Sequence, residues 1–205
     1  MIINHTKRQA SKLFKLSLLI LFAMLQAACQ SMPTVEAGRD LTHVNQIKKW
    51  TARGKMMVAD SKDKVSGYFY WQQDGEDFDF SLDTIIGTNI FSIAFSHGMA
   101  TVEADGEVYR DADPQRLIYQ LTGHIMPINQ LPNWLLARID TQAKNPTYDA
   151  NNKILSFRYM GSGQPWVISY RGWTTQQALS LPQSIMLTAP NNRVKISISD
   201  WQVQG

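Results

Sequence analysis

Tyr68-Phe69-Tyr70-Trp71-Gln72-Gln73-Asp74-Gly75-Glu76-Asp77-Phe78-Asp79-Phe80-Ser81-Leu82 is the stretch on which the fold turns. Asp74-Gly75 between two aromatic runs is a hairpin signal, because both residues accept the unusual backbone angles of a tight turn. After it Phe78, Phe80 and Leu82 alternate with Asp77, Asp79 and Ser81, the period of a strand with one wet face. Before it Tyr68-Phe69-Tyr70-Trp71 puts aromatic rings on both faces. Working outward, period-two segments predict strands near 50–59, 64–73, 77–84, 89–96, 99–104, 107–110, 153–160, 165–171, 183–189 and 193–203. Gly161-Ser162-Gly163 and Asn191-Asn192 supply further turns. Turns this closely spaced make an antiparallel meander rather than βαβ units.

Helical signals are few. Leu41, Val44 and Ile47 step by three and predict a short amphipathic helix over 38–50. Asp113 as N-cap, Pro114 in the first turn and Gly123 as the terminating residue predict a helix over 114–122. A second is expected over 127–137, kinked or split by Pro132. Ile90-Phe91 with Ile93, Ala94 and Phe95, and Trp166-Val167-Ile168, are again apolar on both faces. About ten strands in one meander curl or close, so the expected architecture is mainly β: an unclosed antiparallel barrel of about 10–11 strands with a short helical lid. Its interior is either a filled core or a hydrophobic cavity; the pattern leaves both open.

Composition narrows the function. The 205 residues are 44% hydrophobic and 18% charged, with a net charge of +3. Lys7, Arg8, Lys12 and Lys15 are four of the twenty cations and stand in a segment without acids, so the remainder holds 16 cations against 17 carboxylates. A near-neutral body without a basic stripe excludes nucleic-acid binding, which rests on phosphate neutralisation. One cysteine, Cys29, excludes an internal disulfide and a cysteine-based zinc site.

Residues 1–28 read as a signal peptide: a basic start, then thirteen uncharged, mostly apolar residues (16–28), about 20 Å as helix and too short for the ~30 Å bilayer core. Leu25-Gln26-Ala27-Ala28-Cys29 resembles a bacterial lipobox, with Gln26 where the pattern carries an aliphatic residue. Cys29 is then the lipidated mature N-terminus, residues 29–38 a tether and 39–205 one domain; an incidental cysteine is the alternative. Gln30 resembles the outer-membrane sorting position of Gram-negative lipoproteins.

Catalytic constellations are missing. His43, His97 and His124 lie far apart without metal-ligand spacing. Ser162 lacks the strand–turn–helix setting of a nucleophile elbow, and Asp74, Glu76, Asp77 and Asp79 sit at a turn, where solvated carboxylates are ordinary.

Six stretches carry a resemblance. Trp50-Thr51-Ala52-Arg53-Gly54-Lys55, Gly67–Gln73, Ile86-Gly87, Leu121-Thr122-Gly123, Pro127-Ile128-Asn129-Gln130-Leu131-Pro132-Asn133-Trp134-Leu135-Leu136 and Asp200-Trp201 occur in the order of the LolB family of outer-membrane lipoprotein receptors. The chain resembles that family over essentially its whole mature length. Ala137, Pro132 and Ile85 depart from the family pattern around the lid and the loop. The resemblance implies a half-open barrel whose lidded hydrophobic cavity accepts acylated lipoproteins from a LolA-type periplasmic carrier. The receptor then releases them into the inner leaflet of the outer membrane, as a monomer without cofactor, metal or nucleic acid. A lipocalin-like lipoprotein holding another amphiphile, without membrane insertion, uses the same physics; a hydrolase of envelope material lacks its catalytic set.

Within that frame Tyr68, Tyr70, Trp71, Phe91, Phe95, Trp134, Trp166 and Tyr170 are candidates to line an acyl-chain cavity, being large, stiff and able to satisfy their polar tips. Which member of each alternating pair faces inward is open. Ile85 and Ile86 are two consecutive aliphatics in a loop, and Ile86 matches the family's exposed apolar residue that touches the bilayer; packing under the lid is the other reading. Arg53 either holds the lid or cavity mouth or is an outward-facing strand residue.

Overall fold

The computed structural model describes Leu41 and residues 43–204. The expectations for the signal peptide, the lipobox, Cys29 and the whole tether therefore fall outside the described residues.

Eleven strands form one antiparallel sheet: β1 (Lys49–Ala59), β2 (Lys64–Asp74), β3 (Asp77–Asp83), β4 (Asn89–Ser96), β5 (Met99–Ala104), β6 (Glu107–Asp111), β7 (Lys144–Tyr148), β8 (Ile154–Gly161), β9 (Gln164–Gln176), β10 (Leu179–Ala189) and β11 (Asn192–Gln204). Their spatial order is β6-β5-β4-β3-β2-β1-β11-β10-β9-β8-β7, so the first and last strands pair at the centre and β6 and β7 are left as edges. The chain between those edges carries two short helices, α1 (Pro114–Thr122) and α2 (Leu131–Leu135). The barrel is unclosed.

The Asp74-Gly75 signal is a two-residue turn, Gly75-Glu76, with Gly75 at φ +63° and Asp74 opposite Asp77. That register sets Gln73 against Phe78, Trp71 against Phe80 and Phe69 against Leu82, all buried. Gly161-Ser162-Gly163 forms a turn with Ser162 and Gly163 both at positive φ. The last hairpin turns at Pro190-Asn191, one residue before the expected pair, with Ala189 opposite Asn192.

Two bulges bear on the site. One interrupts the β1–β11 register at Arg53/Gly54, where a Cβ on Gly54 would lie 2.0 Å from the Ser197 carbonyl oxygen; only glycine permits that approach. The other interrupts β3–β4 at Leu82/Asp83 and leaves Ile90 as the extra residue.

The expected helix over 38–50 is corrected to a single 3-10 turn, Val44–Gln46, with β1 beginning at Lys49. Leu41 and Ile47 reach the core from this irregular segment, while Val44 packs half-buried against it. The guanidinium of Arg138 holds the segment by donating to the Val44 and Ile47 carbonyl oxygens. α1 has its expected bounds: the Asp113 carboxylate accepts from the Gln115 amide at 3.0 Å, and Gly123 ends the helix at φ +73°. α2 is shorter than expected because Pro132 has no amide hydrogen and is tolerated only in the first turn. β7 and the extensions of β9 and β10 to a turn at Gln177-Ala178 were not expected.

Candidate functional site

The concave face of the sheet is built from alternate residues. β1 contributes Trp50, Ala52, Met56 and Val58, β2 Phe69 and Trp71, β3 Phe78, Phe80 and Leu82, and β9 Trp166, Ile168 and Tyr170, all buried. An aromatic series crosses the central strands: Trp201 and Trp50 at 5.5 Å between centroids, Trp50 and Trp71 stacked at 6.1 Å, Trp71 and Phe78 at 5.0 Å, Phe78 and Phe95 at 5.6 Å. Polar tips are satisfied inside it. The Trp71 indole donates to Gln73 at 2.8 Å, and Trp201 and Trp166 donate to the carbonyls of Pro182 and Gly161 at 3.0 and 3.1 Å. Rings packed and hydrogen-bonded this way hold the wall in place.

The lid closes over this face. α1 buries Leu117 and Ile118, and α2 buries Leu131, Trp134 and Leu135. Trp134 meets Tyr159 and Phe157 edge-on at 5.3 and 6.1 Å, and its carbonyl accepts a 2.9 Å hydrogen bond from the Tyr170 hydroxyl. Burial pushes the Tyr170 phenol far above its ordinary range, so it remains a donor. His124, after α1, places Nδ1 3.3 Å from the Asp60 carboxylate on the β1–β2 hairpin.

Lid and floor are in contact. Under α1 an apolar pocket of about 90 Å³ remains, lined by Val58, Val65, Leu82, Phe91, Ile118 and Met126 among others, with Ile90 turned toward it at the bulge. At the other end of the lid a cleft of about 420 Å³ has a floor of Trp50, Phe78 and Phe95 and a rim carrying Gln73, Asn133 and Arg138. Pockets that enclose drug-sized ligands run to roughly 300–1,000 Å³. The pocket under α1 is smaller than that range, and the interior between α1 and β2–β4 is largely filled by the protein's own side chains.

The candidate lining residues separate by face. Trp71, Trp166 and Tyr170 are buried on the concave side, Trp134 is buried on the lid, and Phe91 and Phe95 pack half-buried against the core. Tyr68 and Tyr70 are corrected: the hairpin register that buries Phe69 and Trp71 turns both outward, Tyr68 exposed and Tyr70 half-buried. Arg53 is likewise outside, its guanidinium 4.9 Å from the centre of the Tyr70 ring, and takes no place in the lid.

The β3–β4 loop is the second feature. Ile85 and Ile86 are 82% and 86% exposed, the most exposed of the large apolar side chains among the described residues. The loop is tight: the Thr84 amide donates to the Thr88 carbonyl at 2.8 Å, Gly87 to the Thr84 carbonyl at 3.0 Å, and the Thr88 amide to the Thr84 hydroxyl at 3.1 Å. Gly87 at φ +83° makes the return. The loop is thus braced by its own backbone and holds two adjacent isoleucines in water. No cluster of His, Cys, Asp or Glu among the described residues could hold a metal.

Comparisons with known proteins agree with this arrangement. Residues 48–201 match the family model described as outer membrane lipoprotein LolB. Proteins named outer-membrane lipoprotein LolB from Shewanella frigidimarina and Shewanella woodyi are 29% and 31% identical to the chain. These alignments span 95% and 92% of this chain and 96% and 89% of theirs. Among solved structures, a LolA superfamily protein from Nitrosomonas europaea shares the fold with a TM-score of 0.51 at 10% identity, over 78% of this chain and 88% of that one. The chain belongs to the LolB family of outer-membrane lipoproteins.

Proposed function

We propose that this chain is a lipid-anchored receptor at the periplasmic face of the outer membrane. It takes acylated lipoproteins from a LolA-type periplasmic carrier and inserts them into the inner leaflet. Removal of residues 1–28 leaves Cys29 as the acylated N-terminus, 29–38 as the tether and 39–205 as one receptor domain. The protein works as a monomer and without a cofactor, and no bond is made or broken: binding and release are the whole reaction.

The physics is a transfer between solvents. An acyl chain of ~16 carbons costs on the order of 12 kcal/mol to expose to water at ~0.8 kcal/mol per methylene. Lifting α1 and α2 off Phe91, Phe95, Trp71, Trp166 and Tyr170 opens an apolar wall to take it. Handoff needs only tighter holding at each stage, from carrier to receptor to bilayer.

The observation that carries this reading is the exposure of Ile85 and Ile86 on a braced loop. Burying one such side chain in lipid gains ~1.5–3 kcal/mol, reversible beside a covalent anchor. A lipocalin-like store has no use for that loop. The test is Ile86→Glu. Folding and cargo uptake from the carrier are expected to persist while insertion into liposomes stops; equal insertion by the variant and the natural chain overturns the reading.

A further inference from the structure

Immediately beside the isoleucine loop, on the convex face, lies a groove of about 340 Å³ lined by Lys55, Met56, Met57, Ser66, Gly67, Tyr68, Thr84, Ile85, Lys195 and Ser197. Strand register brings the two lysines together: Lys55 pairs with Ser197 on β11, and Lys195, two residues away on the same face, pairs with Met57. The Lys55 ammonium lies 5.2 Å from the centre of the Tyr68 ring, which itself pairs across to Asp83. Asp83 is not part of the groove, and its carboxylate is engaged by Ser81 at 3.1 Å and Asn89 at 2.9 Å. None of the ten lining residues is acidic. Two ammonium groups, two serine hydroxyls and an aromatic wall make a concavity for a phosphate carrying an apolar tail.

We propose that this groove binds the phosphate of an anionic phospholipid at the membrane surface while Ile85 and Ile86 enter the acyl region. The inference rests on the loop being membrane-inserting and identifies what the neighbouring surface meets. Ile85 lines the groove and is also one of the two raised side chains, so a bilayer that receives the loop presents its headgroups to Lys55 and Lys195. A phospholipid is favoured over free phosphate by that continuity with the loop. Position explains Tyr68 as well: excluded from the interior, it forms the wall on which Lys55 rests. Cations near an anionic bilayer surface each contribute roughly fivefold in binding, before screening by salt.

The test places the acylated full chain in vesicles of phosphatidylcholine alone or with 30% phosphatidylglycerol. Cargo arrives as a soluble carrier complex, and its appearance in a form resistant to alkaline extraction is timed. Phosphatidylglycerol is expected to raise the natural chain's insertion rate roughly tenfold. Lys55→Gln with Lys195→Gln is expected to erase that increase while leaving insertion into phosphatidylcholine intact. Lys144→Gln with Arg158→Gln removes the same charge from the far β7–β8 edge and is expected to keep the increase. Equal stimulation in the groove variant, equal loss in the edge variant, or a natural chain indifferent to phosphatidylglycerol overturns the proposal. Failure of the receptor reading looks different, as no insertion by the natural chain into either vesicle.

Discussion

Tyr170, on the floor of the sheet, donates its hydroxyl to the carbonyl of Trp134 in the lid across 2.9 Å, and both residues are buried. This bond fastens the helical cover to the wall beneath it. The carbonyl also accepts from the Ala137 amide at 3.0 Å, so removing the hydroxyl costs one hydrogen bond, about 1 kcal/mol, and strands no acceptor. Tyr170→Phe should therefore lower unfolding stability in urea by about that much. It should also speed hydrogen exchange at the amides of 133–136 more than in β11, because the loss falls on the lid first.

The isoleucines should be dispensable for folding. Neither packs against anything the fold needs, and surface substitutions away from such features stay within about ±0.5 kcal/mol. Ile85→Ser with Ile86→Ser is expected to leave the urea midpoint in place while binding of the chain to liposomes falls.

Gly54 is the opposite case. A methyl group there would stand 2.0 Å from a backbone oxygen of β11, and neither central strand can retreat without breaking its register. Gly54→Ala should cost about 3 kcal/mol, read as a lowered midpoint with unchanged slope.

The β9–β10 turn stores strain in its own backbone. Gln177 and Ala178 hold φ of +47° and +68°, angles that Asn and Gly adopt far more readily. Gln177→Asn with Ala178→Gly should raise stability by ~1 kcal/mol, measured by the same urea titration.

Acid should release the Asp111–Arg116 pair. The Arg116 guanidinium and the Asp113 amide hold the Asp111 carboxyl below its ordinary value of 3.8. A pKa depressed on folding contributes stability that is present above the unfolded value and lost as pH falls through the folded one. The stability gap between the natural chain and Asp111→Asn should therefore be constant from pH 7 to pH 5 and shrink below about pH 4.

Most of the sheet was legible because hairpin turns and period-two patterning act locally. The face assignment of β2 is open in its own pattern, aromatic on both sides, and follows only from pairing with its neighbour. A two-residue turn at Gly75-Glu76 fixes the pairing, β3 declares its wet face with Asp77 and Asp79, and Tyr68 and Tyr70 then fall on the side of those acids. β7 gave no such signal. Lys144-Asn145-Pro146-Thr147-Tyr148 is exposed throughout, contains a proline and pairs irregularly, as suits an edge that discourages further strands. The 38–50 segment misled because three-residue spacing also describes an irregular chain dropping Leu41 and Ile47 into a core one at a time. The small seam under α1 could not be read at all, since it depends on how closely two assembled surfaces settle.

Lys49, where the chain enters the sheet, and the row formed by Lys55, Tyr68 and Asp83 at the root of the isoleucine loop are six residues apart along β1, or ~20 Å. Leu41 and Ile47 are packed in the core ahead of that entry, so the chain is already pinned before β1 begins. The isoleucines are thereby carried by β3 and β4, inside the sheet, and not by the segment that leads into it.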